Sequence, residues 1–275
     1  MTVEADVHGT LGGPLAARNA LAFAILAGIL HGICFPPLGA WPLAFVSLAP
    51  LVAAARGRTV VAGGLLGWLA GTIASTITAV PWIATAAHDY FRHGFVGAVV
   101  FASVLLQVFG ALPIALFAAA VARLSRLQPA PLRVLASAAA WTALELARAR
   151  ALTGAPWDLL AHALYAQPLW IQLADLGGAF AVSFVLAACA AAAAELLVGT
   201  RRDARAAVAI ASALVAATVA YGAVRLRAVR DDAEPVLRVA LVQANVPNSW
   251  RLVPARAGDA FRAFADTTRP LVRTR

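Results

Sequence analysis

Glu145 and Arg148 stand three residues apart near the end of an apolar run that begins at Leu132. A carboxylate and a guanidinium at that spacing share one face of a helix and can pair directly. Ionisable groups at the edge of a membrane segment are costly unless they find partners. The same two side chains are therefore candidates to brace a neighbouring loop or to meet lipid headgroups. The thiols carry less chemistry. Cys34 and Cys189 both lie in apolar runs with no base near them in sequence, so neither reads as a nucleophile. They give no disulfide framework and no metal spacing. His31, His88, His93 and His162 are scattered without ligand spacing, so no metal is expected and no cofactor is implied.

The elements that must position these residues are membrane helices. Of 275 residues 62% are hydrophobic and 13% charged, with a mean hydropathy of +0.81. Soluble domains run at ~45–50% apolar and ~25% charged, so a water-soluble enzyme, a disordered tail and a nucleic-acid module are all excluded. The net charge of +9 comes from arginine, with no lysine anywhere, and those arginines are not gathered on one soluble face. A nucleic-acid partner is not expected.

A crossing helix needs about 20 apolar residues. Asn19–Ala55 carries no charge, and Phe35-Pro36-Pro37 divides it into a helical hairpin, because proline lacks the amide hydrogen and clashes with the preceding turn. Thr59–Ala87, Gly94–Ala122, the short Leu132–Leu146, Leu176–Ala194 and Ala206–Val224 follow, for about seven transmembrane helices. Gly63, Gly67 and Gly71 recur at every fourth residue and predict close helix packing. Pro113 predicts a kink in its span. Trp82, Tyr90, Trp157, Tyr165 and Trp170 flank the loops on one side, where an aromatic belt would lie. Glu145 is the only clear acidic residue inside an expected span, which argues against a proton-coupled transporter.

Arginine placement sets the expected orientation. With the N-terminus cytoplasmic, the inside loops hold Arg18, Arg56, Arg58, Arg123, Arg126, Arg133, Arg201, Arg202 and Arg205. The outside loops hold only Arg92, Arg148 and Arg150. After seven crossings the C-terminal segment is expected outside the cytoplasm. The first residues carry Glu4 and Asp6 and no apolar stretch before Arg18, so no cleavable signal peptide is expected.

Near Arg225 the composition breaks. Asp231-Asp232-Ala233-Glu234-Pro235 reads as a polar linker, Leu237–Gln243 as a strand, and Asn245-Val246-Pro247-Asn248 as a turn. Ala257, Phe261, Phe264 and Thr268 then fall on one side of a helical wheel. Strand, turn and helix form the opening unit of an α/β domain that these residues do not finish, since about 40 residues cannot bury a core unaided. The expected division is a tail at 1–18, a transmembrane helical domain at 19–227, a linker at 228–236 and an incomplete α/β domain at 237–275.

Three stretches resemble the bacterial apolipoprotein N-acyltransferases. Phe35-Pro36-Pro37-Leu38-Gly39-Ala40-Trp41-Pro42-Leu43-Ala44 is similar to the family's break between its first two membrane segments. Trp141, Glu145 and Arg148 match its W-x-x-x-E-x-x-R arrangement, continuing as Leu152-Thr153-Gly154-Ala155-Pro156-Trp157, with alanine where phenylalanine is usual. Gln172, Gly177, Gly178 and Ser183 follow at familiar positions. Val239–Pro247 resembles the first strand and turn of the family's nitrilase-like domain.

The resemblance implies an enzyme of the bacterial cytoplasmic membrane that moves an acyl chain from a phospholipid to the N-terminal diacylglyceryl-cysteine of a lipoprotein. The family works through a glutamate, lysine and cysteine triad in the nitrilase-like domain, ahead of an eighth membrane helix. A thiolate nucleophile, a carboxylate base and a cation near the oxyanion make that two-step covalent catalysis. No triad residue can be assigned in this chain, which is expected to be truncated and inactive alone. The resemblance also sets the loop Ala149–Gln167 facing the catalytic domain, and makes Glu145, Arg148 and Trp157 candidate substrate-binding residues. The alternative is a non-catalytic membrane scaffold that pairs with a separately encoded catalytic half.

Overall fold

The computed structural model describes residues 15–91, 94–151, 154–231, 239–247, 250 and 253–273. Helix α1 (Ala17–Ile33) ends one residue before Cys34, just ahead of the Pro36-Pro37 pair. The chain turns there: Gly39 N–H donates to Phe35 O at 2.9 Å and Ala40 N–H to Ile33 O at 3.0 Å. Gly39 holds φ at +63°, a left-handed value that suits a residue without a Cβ. A 3₁₀ turn (Trp41–Phe45) and the short α2 (Ala49–Ala55) then run back along α1, as the double proline predicts.

Helix α3 (Val60–Thr78) starts on a Thr59 cap, whose side chain accepts from Ala62 N–H at 3.2 Å. The uncharged run to Ala87 is not one span. It breaks at Ala79, and α4 (Val80–Phe91) folds separately against α5 (Phe95–Leu106). From α5 the helix continues through a π turn (Gln107–Ala111) into α6 (Leu112–Leu124). Helix α7 (Ala130–Arg150), a 3₁₀ turn (Leu160–Leu164), α8 (Pro168–Ile171), α9 (Ala174–Val198) and α10 (Arg201–Asp231) complete the bundle.

The glycine row of α3 is a packing surface. A Cβ on Gly67 would sit 2.5 Å from Ile114 O, and one on Gly71 would sit 2.7 Å from Ala111 Cα. Small residues let α3 approach α6 to near backbone contact, where dispersion rather than a hydrophobic drive holds helices together in lipid. Gly28 does the same for α1, with Ala70 O only 2.6 Å from a built Cβ.

Among the described residues four helical stretches are long and apolar enough to cross a bilayer: Val60–Thr78, Phe95–Leu124, Ala174–Val198 and Arg201–Ala228. Ala17–Ile33 and Trp41–Ala55 are apolar but shorter. Helix α7 has the length, but Arg133, Glu145, Arg148 and Arg150 all lie on it. The structure is thus a helical membrane bundle.

Arg133 lies in the first turns of α7 and is 4% exposed, not in a loop. It joins a buried cluster at the opposite end of α7 from Glu145. Arg133 Nε and Arg56 Nη1 donate to Glu195 at 2.9 and 2.6 Å, Arg133 Nη2 lies 3.5 Å from Asp203, and Arg133 Nη1 donates to Leu127 O. Glu195 is itself an acidic residue within a helix, beyond the apolar run that ends at Ala194.

The tail differs from expectation. The described residues contain no strand: Val239–Pro247 form no ladder, while Leu237, Arg238 and Asn248 lie outside the described residues. A strand needs a hydrogen-bonding neighbour, and the described residues offer none. Helix α10 also runs to Asp231, past the expected linker start at 228. The amphipathic helix is present as α11 (Ala257–Arg273).

Candidate functional site

A cavity opens where α1, α3, α6 and α7 converge near the C-terminal end of α7. Its lining includes His31, Thr78, Pro113, Glu145, Arg148 and Asp158. Helix α7 supplies the chemistry. Trp141, Glu145 and Arg148 recur at i, i+4 and i+7, which is one stripe of a helix.

Glu145 is 3% exposed, and its Oε1 accepts two hydrogen bonds. One comes from Trp141 Nε1–H at 2.9 Å, within the stripe. The other comes from Leu160 N–H at 2.7 Å, across to the 3₁₀ turn of the loop. The adjacent Ala161 N–H donates to Ser183 Oγ of α9 at 3.0 Å. Two orphan amides at the start of that turn are thus satisfied by buried side chains from two different helices.

Arg148 reaches the other way. Its Nη1 donates to Phe109 O at 3.1 Å and its Nη2 to Asp158 O at 3.3 Å. Asp158 sits at φ +51°, and its carboxylate accepts from Thr78 Oγ1 at 2.9 Å. Among the described residues Glu145 and Arg148 form no direct ion pair. The i,i+3 spacing permits one, yet each side chain is drawn to backbone groups of other elements.

Three buried polar atoms on cavity-lining residues find no hydrogen-bond partner among the described residues: Glu145 Oε2, Arg148 Nε and His31 Nδ1. The cavity offers about 30 Å³ to the centres of water molecules. About 10–15 Å³ holds one water, so two or three waters fit among groups that need them. His31 is fixed above this space by edge-on contacts to Trp141 and Phe35, at 5.6 and 5.3 Å between ring centres.

Trp157 stands apart from this cavity. It is 45% exposed on the loop and packs edge-on against Trp82 of α4 at 5.4 Å. Cys34 is buried at the end of α1, its thiol donating to Leu30 O, and Cys189 lies within α9.

The cavity's further members had no local signal in the sequence. His31 and Thr78 enter only because α1 and α3 pack beside α7, and Asp158 only because the loop returns over α3. The kink expected at Pro113 gives no sign of the π turn that precedes it or of the carbonyl that Arg148 takes there.

The helical bundle agrees with the comparisons to known proteins. The family profile of the apolipoprotein N-acyltransferase N-terminal domain matches residues 27–192. The chain belongs to the apolipoprotein N-acyltransferase family. An apolipoprotein N-acyltransferase of Azotobacter vinelandii is 34% identical over 252 residues, covering 89% of this chain and 47% of that protein. One from Geobacter metallireducens is 29% identical over 245 residues, covering 86% of this chain and 46% of its own length. One from Pseudomonas paraeruginosa reaches 36% over 179 residues. The chain therefore spans about half the length of the curated apolipoprotein N-acyltransferases it matches. Every cavity residue named above falls inside the matched N-terminal domain.

Proposed function

We propose that these 275 residues are the membrane portion of an apolipoprotein N-acyltransferase, which carries an acyl chain from a phospholipid to the N-terminal diacylglyceryl-cysteine of lipoproteins. The observation that carries the reading is the domain match over 27–192, which runs from within α1 to within α9 and includes the Glu145–Arg148 stripe. In this reading the membrane is the bacterial cytoplasmic membrane, with the N-terminus inside. The seven crossings are α1, Trp41–Ala55, α3, α5 with α6, α7, α9 and α10. Residues 237–275 begin the nitrilase-like domain, on the outer side. The lack of lysine and the burial of Cys34 inside the bundle support the view that these residues alone do not turn over.

Glu145 and Arg148 then fix the loop Ala149–Gln167, and Trp157 is an exposed side chain that loop offers to substrate. The loop is built to be rigid: Ala155 N–H returns to Arg148 O at 3.0 Å, and Gly154 turns at φ +75°, where a Cβ would lie 2.6 Å from Ala149 O.

The test is a chimera in which this chain replaces the corresponding half of the Azotobacter vinelandii relative. Acylation of a diacylglyceryl lipopeptide with phospholipid as donor is measured for the chimera and for the 275 residues alone. Activity in the chimera and none in the chain alone is the expected result. A well-expressed, membrane-inserted but inactive chimera overturns the proposal, and activity from the chain alone overturns its second part.

A further inference from the structure

A second recess lies apart from the Glu145 cavity, on the outside of the bundle between α9 and α10. This groove, about 630 Å³, is lined almost wholly by carbon: Leu176, Phe180 and Phe184 of α9 form one wall, Leu214, Ala217 and Tyr221 of α10 the other. It exists because α9 is interrupted at Gly177 and Gly178, the latter at φ +65°, so the start of that helix swings away from its own axis.

One end of the groove is polar. Tyr221 O–H donates to Asp175 Oδ1, and Arg225 Nε donates to Asp175 Oδ2 at 2.7 Å. Arg225 and Asp175 side chains are 43% and 37% exposed. This end is held by a close backbone approach, since a Cβ on Gly222 would fall 2.0 Å from Leu169 O of α8. The spacing along α10 places both parts of the recess in a bilayer. Arg205 and Arg225 bound its apolar stretch, and at 1.5 Å per residue they stand about 30 Å apart, the thickness of a hydrocarbon core. Leu214 then falls close to the midplane. The groove runs from mid-bilayer to headgroup level, the reach of a single leaflet.

We infer that this groove holds one acyl chain of a resident zwitterionic phospholipid with a primary amine headgroup. Arg225 meets the phosphate, Asp175 accepts from the ammonium, and Tyr221 lies between chain and headgroup. The complementarity is in the two opposite charges at the groove's mouth. An anionic headgroup would find Asp175 repulsive, and a quaternary amine has no N–H to donate to it. The Arg225–Asp175 bond is no obstacle, because exposed ion pairs contribute little and exchange readily for other partners. This inference goes beyond acyl transfer and does not depend on it.

The test uses the full chain in detergent micelles, with retained lipid read by native mass spectrometry. Dioleoyl phosphatidylethanolamine, phosphatidylcholine and phosphatidylglycerol are offered in equal amounts. Expected is one retained phosphatidylethanolamine, favoured about tenfold over each of the others. Arg225→Gln loses that preference while the helical content and melting profile stay unchanged. Independently of any variant, a phosphatidylethanolamine with a diazirine near the acyl terminus is photolysed on the wild-type chain, and cross-links are expected in 173–185 and 211–221. Equal retention of the three lipids, a preference for phosphatidylglycerol, or cross-links spread over the bundle surface each overturn the proposal. Because the readout is bound lipid, it fails or succeeds separately from any acylation assay.

Discussion

Arg148 donates to the carbonyl that Pro113, lacking an amide hydrogen, cannot serve. In an unbroken α-helix Phe109 O would accept the amide hydrogen of residue 113, and residue 113 is proline. The helix widens into a π turn just before it, and Arg148 Nη1 donates to Phe109 O at 3.1 Å. Inside a membrane such a carbonyl is cut off from bulk water, so a side chain from the next helix is its remedy. The same guanidinium holds Asp158 O, so the kink in one helix and the loop after another share one fastening.

That coupling can be measured. Arg148→Leu removes the donor from two carbonyls and is expected to destabilise by about 1–3 kcal/mol. Pro113→Ala restores an amide hydrogen toward Phe109. The double variant is expected to lose less than the sum of the singles, a coupling of about 0.5 kcal/mol or more. Denaturant titration in mixed micelles reads all three, and strict additivity would show that the two residues do not share the carbonyl.

What could be read from the sequence follows the range of the interactions. The break after Ile33, the close packing at Gly63, Gly67 and Gly71, and the helix at 257–273 are local or periodic, and each was legible. Charge marks the end of a span only where it is unpaired, so the sequence sets Arg133 in a loop while the structure buries it in α7. Its partners Glu195 and Asp203 come from two other helices, and Arg56 shares the first of them; no spacing in the sequence announces them. Glu145 and Arg148 are legible as a pair of types, and Trp141 lies at the i,i+4 spacing that lets it donate to Glu145, but their remaining partners are backbone groups at residues 109, 158 and 160, which carry no residue-type signal. The strand at 237–243 rests on pattern alone, and a strand is a property of two segments rather than one.

The glycine row makes a sharper comparison. Gly67→Ala drives a methyl group to 2.5 Å from Ile114 O and is expected to cost about 1–3 kcal/mol. Gly64→Ala, whose nearest contact would be 3.7 Å from Ala119 Cβ, is expected to change stability by less than about 0.5 kcal/mol. Thermal unfolding of both variants in one detergent decides it, and equal losses would remove the packing role assigned to that face.

Glu195 is the hinge of the buried charge cluster, since both Arg56 and Arg133 depend on it. Glu195→Gln leaves two guanidinium groups short of charge and is expected to destabilise by about 3–5 kcal/mol. Asp175→Asn, at the exposed Arg225 pair, is expected to cost no more than about 1 kcal/mol. Both are read by the same unfolding assay. Comparable losses would mean that burial does not separate the two sites.

Glu145 distinguishes a brace from a charge. Its Oε1 serves both Trp141 Nε1–H and Leu160 N–H, and a glutamine can present the same oxygen to both donors. Glu145→Gln is therefore expected to keep the loop in place and to cost about 1 kcal/mol or less. Glu145→Leu leaves both donors unsatisfied in a buried site, at about 1–3 kcal/mol each. It is expected to free the 3₁₀ turn at Leu160–Leu164. Limited proteolysis between Ala155 and Gln167 reports that release directly, with the leucine variant cut faster than the wild type and the glutamine variant cut at the wild-type rate. If glutamine opened the loop as fully as leucine, the carboxylate's charge rather than its geometry would be holding it, and the cavity beside Arg148 would have to be reread as an electrostatic site.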